Sequence, residues 1–150
     1  MTSVNDLSSG VPAQFEADHI AGLLGLAMRR LRAEILADSE ERFPGLRVSH
    51  YRLLEMIPAD GARVTDLAEI AAMTKQGLGQ HVDYLERLGF TESERLRADR
   101  RVRLVRRTER GDEAVAFSRA AIARVEELWA DRLGSERYAV LRETLRELGE

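Results

Sequence analysis

The apolar residues of this chain repeat at the spacing of α-helices over most of its length. The first run shares one face at i, i+3, i+4 and i+7, and consists of Ile20, Leu23, Leu24, Ala27, Leu31 and Ile35. It predicts a helix that ends before the Phe43-Pro44-Gly45 break. A second, short helix is predicted over residues 49–57, and Pro58 ends it.

Two helices separated by a tight turn are predicted next. Thr65, followed by Asp66 in the first turn, indicates where the earlier helix starts. Thr74 can cap the later helix, over residues 75–88, and Gly89 marks its exit. The inner face of this later helix consists of Leu78, Val82 and Leu85. The pattern predicts a helix-turn-helix, in which the second helix enters the major groove of DNA.

A β-hairpin is predicted after the second of these helices. Alternation through Val102, Leu104 and Arg106 is typical of a strand, and residues 98–99 are predicted to form the turn between two strands. Val105 interrupts the strict alternation. A hairpin in this position would be the wing of a winged helix-turn-helix.

Two further helices are predicted to close the chain. Thr108 starts a long helix, and Gly134-Ser135 separates it from a last one. The terminal helices carry more apolar surface than the DNA-reading unit could cover. Pairing with a second copy of the chain is the simplest way to bury that surface, so a homodimer is predicted.

Composition limits the classes of protein to which the chain can belong. A length of 150 residues suits one domain. The absence of cysteine excludes disulfides, thiolate zinc sites and iron–sulfur clusters. No apolar run reaches the length of a membrane span, and residues 1–14 lack the basic and apolar regions of a signal peptide. A cytoplasmic protein without membrane contact is predicted, with residues 1–14 as a flexible arm.

Charge is distributed unevenly along the chain. There are 23 basic and 26 acidic residues, which gives a net charge of −3. Residues 95–110 contain eight arginines and two acids, so this stretch carries +6 and the rest of the chain −9. A local positive stripe on an acidic body suits an anionic partner. All basic residues except Lys75 are arginine, whose planar fork suits phosphate and guanine, although arginine richness also follows from genome composition.

Four motifs follow one another in a fixed order: LAEIA at 67–71, VDYLERLGF at 82–90, DRR at 99–101 and TERG at 108–111. In order and spacing they resemble the MarR family of bacterial transcription regulators, over about residues 18–148. The resemblance implies a mainly α fold with a small β wing, in which dimerisation helices flank a winged helix-turn-helix. It implies a single domain over 15–150, with a DNA-binding lobe at about 46–108 and dimerisation helices at about 15–43 and 109–148.

Three residues depart from the family pattern. Arg107 stands where the family usually has an apolar residue, so the end of the second wing strand is expected to be more exposed than usual. Gly77 and Gly79 lie inside the predicted second helix, where each glycine costs about 1 kcal/mol relative to alanine. They indicate either a close approach of the backbone to DNA or a weak helix without a purpose.

Candidate DNA contacts lie at the start and on the outer face of the second helix. Gln76 and Gln80 are the candidates for reading bases, because a glutamine amide can pair with adenine in bidentate fashion. Thr74 and Lys75 are suited to phosphate, and Gly79 lies on the same face. The alternative for both glutamines is an ordinary solvated surface.

The predicted wing supplies a second set of candidates. Arg97 and Arg100 lie near its tip, where guanidinium groups could enter a narrow minor groove. The resemblance implies that Asp99 forms an ion pair with Arg101 that holds the shape of the wing, and Arg101 is also a phosphate candidate. A solvated strand face is predicted for the remaining arginines, Arg103, Arg106 and Arg110.

A small anionic or aromatic effector is implied by the resemblance, in a crevice between the dimerisation helices and the DNA-binding lobe. The candidates to line that crevice are His19, His50, Tyr51, Arg52 and Trp129. The alternative for each is ordinary packing. No metal or other cofactor is predicted, because the three histidines are far apart in sequence and no ligand spacing marks a site.

No catalytic motif occurs in the sequence, so the chain is not predicted to be an enzyme. The prediction is a homodimeric, sequence-specific DNA-binding regulator, acting as a ligand-responsive repressor on a pseudo-palindromic operator. The alternative is a winged-helix adaptor that binds another protein and does not read DNA.

Overall fold

Helices dominate the fold, which is known from a computed structural model that describes residues 18–149. The predicted arm, residues 1–14, lies outside the described residues. Within them, helices and strands follow in the order α1 Ile20–Leu36, α2 Ser39–Arg42, α3 Val48–Met56, β1 Ala62–Arg63, α4 Val64–Ile70, α5 Lys75–Arg87, β2 Thr91–Arg95, β3 Arg103–Arg107, α6 Glu109–Leu133 and α7 Ser135–Leu148. The predicted fold class, mainly α with a small β wing, is confirmed.

The main core lies between α3, α4, α5, the sheet and the first half of α6. Leu54, Leu67 and Phe90 are fully buried there. The predicted inner face of α5 is confirmed, since Leu78, Val82 and Leu85 also have no exposed surface. Burial of this face fixes the opposite face of α5 toward solvent.

The sheet has three antiparallel strands in the order β1-β3-β2. The two-stranded prediction was therefore incomplete, because Ala62 and Arg63 pair with Val105 and Leu104 of β3. The prediction that Leu104 lies on the regular apolar face of the strand, with Val105 as an interruption, was also wrong. Val105 is the fully buried residue of β3, whereas Leu104 is only half-buried.

Two predicted helix boundaries were wrong. The first helix does not continue to residue 43, because α1 ends at Leu36 and α2 is a separate turn. This break lets Phe43 enter the core, where its ring lies 5.4 Å from that of Phe117. Thr65 does not start α4, which is preceded by Arg63 in an extended conformation. The backbone of Arg63 is held there by its pairing with Leu104 of β3.

The terminal helices α1, α6 and α7 form a second layer that is thinly covered. In α1 only Ile35 is buried, and no residue of α7 is buried. Large apolar side chains of this layer stand exposed at Ile20, Leu23, Leu24, Met28, Leu36, Leu128, Val140, Leu145 and Leu148. None of the described helices is both long and apolar enough to span a membrane.

Candidate nucleic-acid interface

The start of α5 is held by the predicted cap. The Thr74 hydroxyl accepts a hydrogen bond from the Gly77 amide at 3.0 Å, which satisfies one of the amides that a helix start leaves unpaired. Lys75, Gln76 and Gln80 are exposed on the face opposite the core. The structure therefore presents a polar, partly basic helix start to solvent.

A groove of about 520 Å³ runs between the start of α4, the first two turns of α5 and the wing. It brings three of the predicted contacts on α5, Lys75, Gln76 and Gly79, next to Arg101 of the wing. Its described lining is Arg63, Val64, Thr65, Lys75, Gln76, Gly79, Arg95, Arg101, Val102 and Arg103, among which five residues are basic and none is acidic.

Two residues of this groove, Arg63 and Arg95, were missed as candidates. Arg95 lies within the basic stretch 95–110, and that stretch was the signal that could have identified it. Arg63 has no basic neighbour in the sequence. It reaches the groove because β1 pairs with β3, a contact between residues 41 and 43 positions apart.

The tip of the wing, residues 96–102, is organised by Asp99. Its carboxylate accepts hydrogen bonds from the Arg101 amide at 3.0 Å and from the Arg101 guanidinium at 3.3 Å. The Leu96 amide donates to the Val102 carbonyl at 3.1 Å, which closes the loop. The ion pair is well exposed, so its importance for the shape of the wing stays a prediction.

Arg97 and Arg100 project from this tip. Both are exposed, and neither side chain forms a hydrogen bond or an ion pair with residues 18–149. Neither lines the groove. These two arginines form a second basic surface at the wing tip, separate from the groove beside α5.

Arg103 does not lie on a solvated face, contrary to the prediction. Its side chain is only 16% exposed, and it forms ion pairs of 2.6 Å with both Asp83 and Glu86 of α5. Arg106 is half-exposed and pairs with Glu94 at 3.4 Å. The prediction of a solvated face is thus wrong for Arg103, because its guanidinium is fully used within the chain.

Arg110 is exposed as predicted, but it also contacts the core. Its guanidinium lies 4.9 Å from the centre of the Phe90 ring, within the range of a cation–π interaction.

Arg107 is only 16% exposed, although its strand end was expected to be more exposed than usual. Its guanidinium donates to the carbonyls of Leu54 at 2.9 Å and Ile57 at 2.6 Å, and to the Asp112 carboxylate at 2.6 Å. The two carbonyls belong to the end of α3, where the Leu54 carbonyl also accepts from the Ile57 amide at 3.3 Å. Arg107 therefore joins the end of α3 to the first turn of α6 through these two carbonyls and Asp112.

The start of α6 is attached directly to the exit of α5. The Thr108 hydroxyl donates to the Gly89 carbonyl at 2.6 Å and accepts from the Gly111 amide at 3.2 Å, which confirms the predicted helix start. A side chain at Gly111 would collide with the Phe90 carbonyl. The TERG motif therefore lets α6 start in direct contact with the exit of α5.

The five effector candidates do not line one crevice in the described chain. His19 precedes α1, where its ring accepts from the Gly22 amide. Tyr51 is buried, and its hydroxyl lies 2.6 Å from the Ser39 hydroxyl. Arg52 lines a cavity of about 390 Å³ between α3, α4 and α5. Trp129 lines other cavities, of about 430 and 470 Å³, against α1 and α7.

His50 belongs to a ring cluster between α3 and α5. It stacks on Tyr84, with ring centres 4.9 Å apart, and lies 5.7 Å from His81. Its Nδ1 accepts a hydrogen bond from the Arg47 amide at 3.0 Å. Burial lowers the pKa of His50, and the nearby His81 and Arg47 lower it further. The described residues contain no cluster of His, Asp and Glu that could hold a metal ion.

Comparison with known proteins identifies the fold. No protein-family model and no curated protein matches the sequence. Among solved structures, CouR bound to a 23-mer DNA duplex has a TM-score of 0.74 with 20% identity, over 95% of this chain and 100% of CouR. MarR gives a TM-score of 0.73 with 22% identity, over 94% and 93% of the two chains.

FabT of Streptococcus pneumoniae, in complex with DNA, gives a TM-score of 0.71 with 20% identity, over 84% and 89%. CouR of Rhodococcus jostii RHA1 has also been solved with p-coumaroyl-CoA, with a TM-score of 0.67, 20% identity, and coverage of 91% and 95%. The chain therefore has the winged helix-turn-helix fold of MarR-type regulators.

Proposed function

We propose that this chain is a MarR-type transcriptional regulator that binds double-stranded DNA. The observation that carries the proposal is the groove between α5 and the wing, whose described lining is basic without any acid, although the chain is acidic overall. Such a surface attracts the phosphate backbone, and the adjoining helix start can enter a major groove.

The proposed contacts divide by chemistry. Gln76 and Gln80 read base edges from α5, while Thr74, Lys75 and Arg101 contact phosphate. Gly79 lets the backbone approach DNA, and the free guanidinium groups of Arg97 and Arg100 enter the flanking minor groove. Arg63 and Arg95 add phosphate contacts at the groove wall.

Two copies are proposed to act together. The exposed apolar side chains of α1 and α7 offer a surface whose burial would stabilise a dimer. A two-fold dimer would place its two copies of α5, the proposed recognition helix, in successive major grooves, so the half-sites of a pseudo-palindromic operator would lie about 10 bp apart.

Regulation by a small molecule is proposed as well. CouR is described as a transcriptional repressor bound to a DNA duplex, and a second structure of CouR holds p-coumaroyl-CoA. For this chain we propose repression in the cytoplasm, released by a small anionic or aromatic effector that shifts the spacing of the two lobes. The cavities beside Arg52 and Trp129 are the places to look for it.

Selection of bound duplexes from a random pool, with the purified chain, tests the proposal. Enrichment of an inverted repeat, with affinity that falls steeply as salt rises, is the expected result. A protein adaptor, the alternative function, would enrich nothing. Repeating the selection with phenolic ligands present tests the response to an effector.

A further inference from the structure

Asp83 places a negative charge on the surface proposed to face DNA. It follows Gln76 and Gln80 at helical spacing, so the three side chains share one face of α5. Asp83 is 57% exposed, and Glu86 lies one turn further along. Two carboxylates in this position would repel phosphate if nothing neutralised them.

Arg103 of β3 engages both carboxylates at once. Its Nη1 donates to Asp83 and its Nη2 to Glu86, each at 2.6 Å, and its Nε donates to the Ser93 hydroxyl at 3.0 Å. All three guanidinium nitrogens are thus used within the chain. Arg103 is 16% exposed, against 92% for Arg101, which shares the groove.

Glu86 completes the link to the other wing strand. Its carboxylate accepts from the Ser93 amide at 3.0 Å and from the Ser93 hydroxyl at 3.1 Å. The recognition helix, β2 and β3 are therefore joined by one hydrogen-bonded cluster, formed by Asp83, Glu86, Ser93 and Arg103. We call it the Arg103 clamp.

We propose that Arg103 is a positioning residue for DNA binding. It fixes the wing against α5 and masks the two carboxylates, and it contacts no phosphate itself. The inference rests on the proposed function. Only arginine suits the role, because its planar fork bridges two carboxylates and a hydroxyl, whereas the ammonium of lysine is a point charge.

The test compares Arg103→Met and Arg103→Lys with the wild type and with Arg106→Met. Arg106 is the matched control, since it lies on the same strand and its ion pair is half-exposed. The probes are the duplex enriched by the wild type and a scrambled duplex of equal length. Binding is measured over a series of salt concentrations, with the active fraction titrated, and hydrogen exchange of the wing amides is measured without DNA.

Arg103→Met is expected to speed exchange in the wing and to weaken binding to the enriched duplex by roughly tenfold or more. The affinity of this variant should also fall less steeply with salt than that of the wild type, because salt screens the repulsion between the unmasked carboxylates and phosphate. The salt slope should return to that of the wild type once Asp83→Asn and Glu86→Gln neutralise both carboxylates. Arg103→Lys should restore little of the specific affinity. Adding Asp83→Asn and Glu86→Gln to Arg103→Met should recover binding to the scrambled duplex but not the preference for the enriched one.

Several outcomes would overturn the inference. A salt slope that stays reduced by about one in Arg103→Met with Asp83→Asn and Glu86→Gln would make Arg103 a phosphate contact. Wild-type affinity for the enriched duplex in Arg103→Lys would mean that a positive charge alone is enough for the role. Unchanged hydrogen exchange of the wing amides in Arg103→Met would show that Arg103 does not hold the wing against α5. If the wild type enriches no duplex, the proposed function fails and this inference with it. Wild-type affinity in Arg103→Met would contradict this inference but leave the proposed function standing.

Discussion

At the scale of single residues, the arginines of the wing differ in what their guanidinium groups touch, and four of them mark the two extremes. Arg97 and Arg100 have no partner among residues 18–149 and stand in solvent. Arg103 and Arg107 bond to carboxylates and carbonyls of the chain, with only 16% of each side chain exposed. The formal charge of +6 over residues 95–110 therefore overstates what the wing can offer to phosphate.

Arg100→Ala and Gln80→Ala should affect DNA binding in different ways. Loss of the Arg100 charge should weaken binding to most duplexes alike and reduce the salt slope. Loss of the Gln80 amide should change which sequence is preferred, at a cost of about 1–3 kcal/mol for the preferred base. Parallel titrations of the enriched and scrambled duplexes measure both. Binding by both variants that equals the wild type would reject these roles.

Gly79→Ala separates the two explanations for a glycine in α5. Apart from the backbone of its own helix and its two chain neighbours, no described atom lies within 4 Å of the position that a Cβ would take. The helix should therefore gain about 1 kcal/mol of stability from the better helix former. We expect the affinity for the enriched duplex to fall, because the methyl group would stand between the backbone and DNA. Higher stability with unchanged affinity would show that the glycine serves no close approach.

Arg107→Leu should destabilise the chain although leucine resembles the usual apolar residue at this position. The Ile57 carbonyl would lose the Arg107 donor, at a cost of about 1–3 kcal/mol when such a group stays dry, and the Leu54 carbonyl would keep only the Ile57 amide at 3.3 Å. Arg106→Leu, on the exposed side of the same strand, should change the free energy of unfolding by less than about 0.5 kcal/mol. Urea denaturation at one protein concentration gives both values. Equal stability of the two variants would contradict the proposed role of Arg107.

At the scale of helices and strands, local signals predicted well and long-range pairing did not. Thr74 and Gly89 marked the two ends of α5 correctly, because a helix cap and a left-handed residue after a helix are properties of single residues. Gly89 has a φ of +81°. Strand β1 has only two residues, and what makes it a strand is its pairing with β3, more than 40 positions away. No periodicity can form in so short a segment.

The face of β3 was mispredicted for a related reason. Arg103 and Arg107 share the inward side with Val105, whereas arginine is normally a marker of the outer face. Their burial is possible only because Asp83, Glu86 and the end of α3 supply partners, and those partners lie on other elements. The α5 half of the candidate site could thus be read from sequence, while Arg63 and the Arg103 clamp required the tertiary structure.

The packing of α3 on α5 should depend on pH through His50. The folded pKa of His50 is lowered, chiefly by burial, so the unfolded chain takes up a proton that the folded chain resists. The contribution of His50 to stability is therefore complete above the ordinary imidazole pKa of 6.5 and is lost as pH falls below it.

His50→Gln should reduce this dependence while keeping an acceptor for the Arg47 amide, as glutamine does in a capping box. The free energy of unfolding should then fall less between about pH 7.5 and about pH 5.5 than in the wild type. His19→Gln, which replaces an exposed histidine outside the ring cluster, serves as the control for the loss of an imidazole. Identical slopes in all three proteins would exclude His50 as the source.

At the scale of the whole molecule, the two layers differ in how well they are closed. Among the described residues, the lobe formed by α3, α4, α5 and the sheet exposes only Ile70 and Met73 of its large apolar side chains, whereas α1 and α7 leave many of theirs in solvent. Burial of such side chains contributes about 25 cal/mol for each Å² removed from water. The uneven exposure is the reason for expecting that the terminal helices, and not the wing, join two copies.

Leu24→Glu should convert the dimer to a monomer, because a carboxylate would have to be buried in the proposed interface. Ile70→Glu is the matched control, since Ile70 is even more exposed, at 70% against 44% for Leu24, but lies on α4. Light scattering after size exclusion gives the mass of each. The Leu24 variant should also bind an inverted repeat no better than a half-site. A wild type of monomeric mass would contradict the dimer, as would a Leu24 variant that stays dimeric.

Lys75 is the first residue of α5 and lines the groove, and it is the one lysine among 150 residues. An acylating reagent directed at lysine amines thus has a single side-chain target, and that target stands where the duplex is proposed to dock. Attachment of a fluorophore there, without any engineered cysteine, would turn the natural chain into an optical reporter of occupancy. The same acylation would cancel one positive charge at that point.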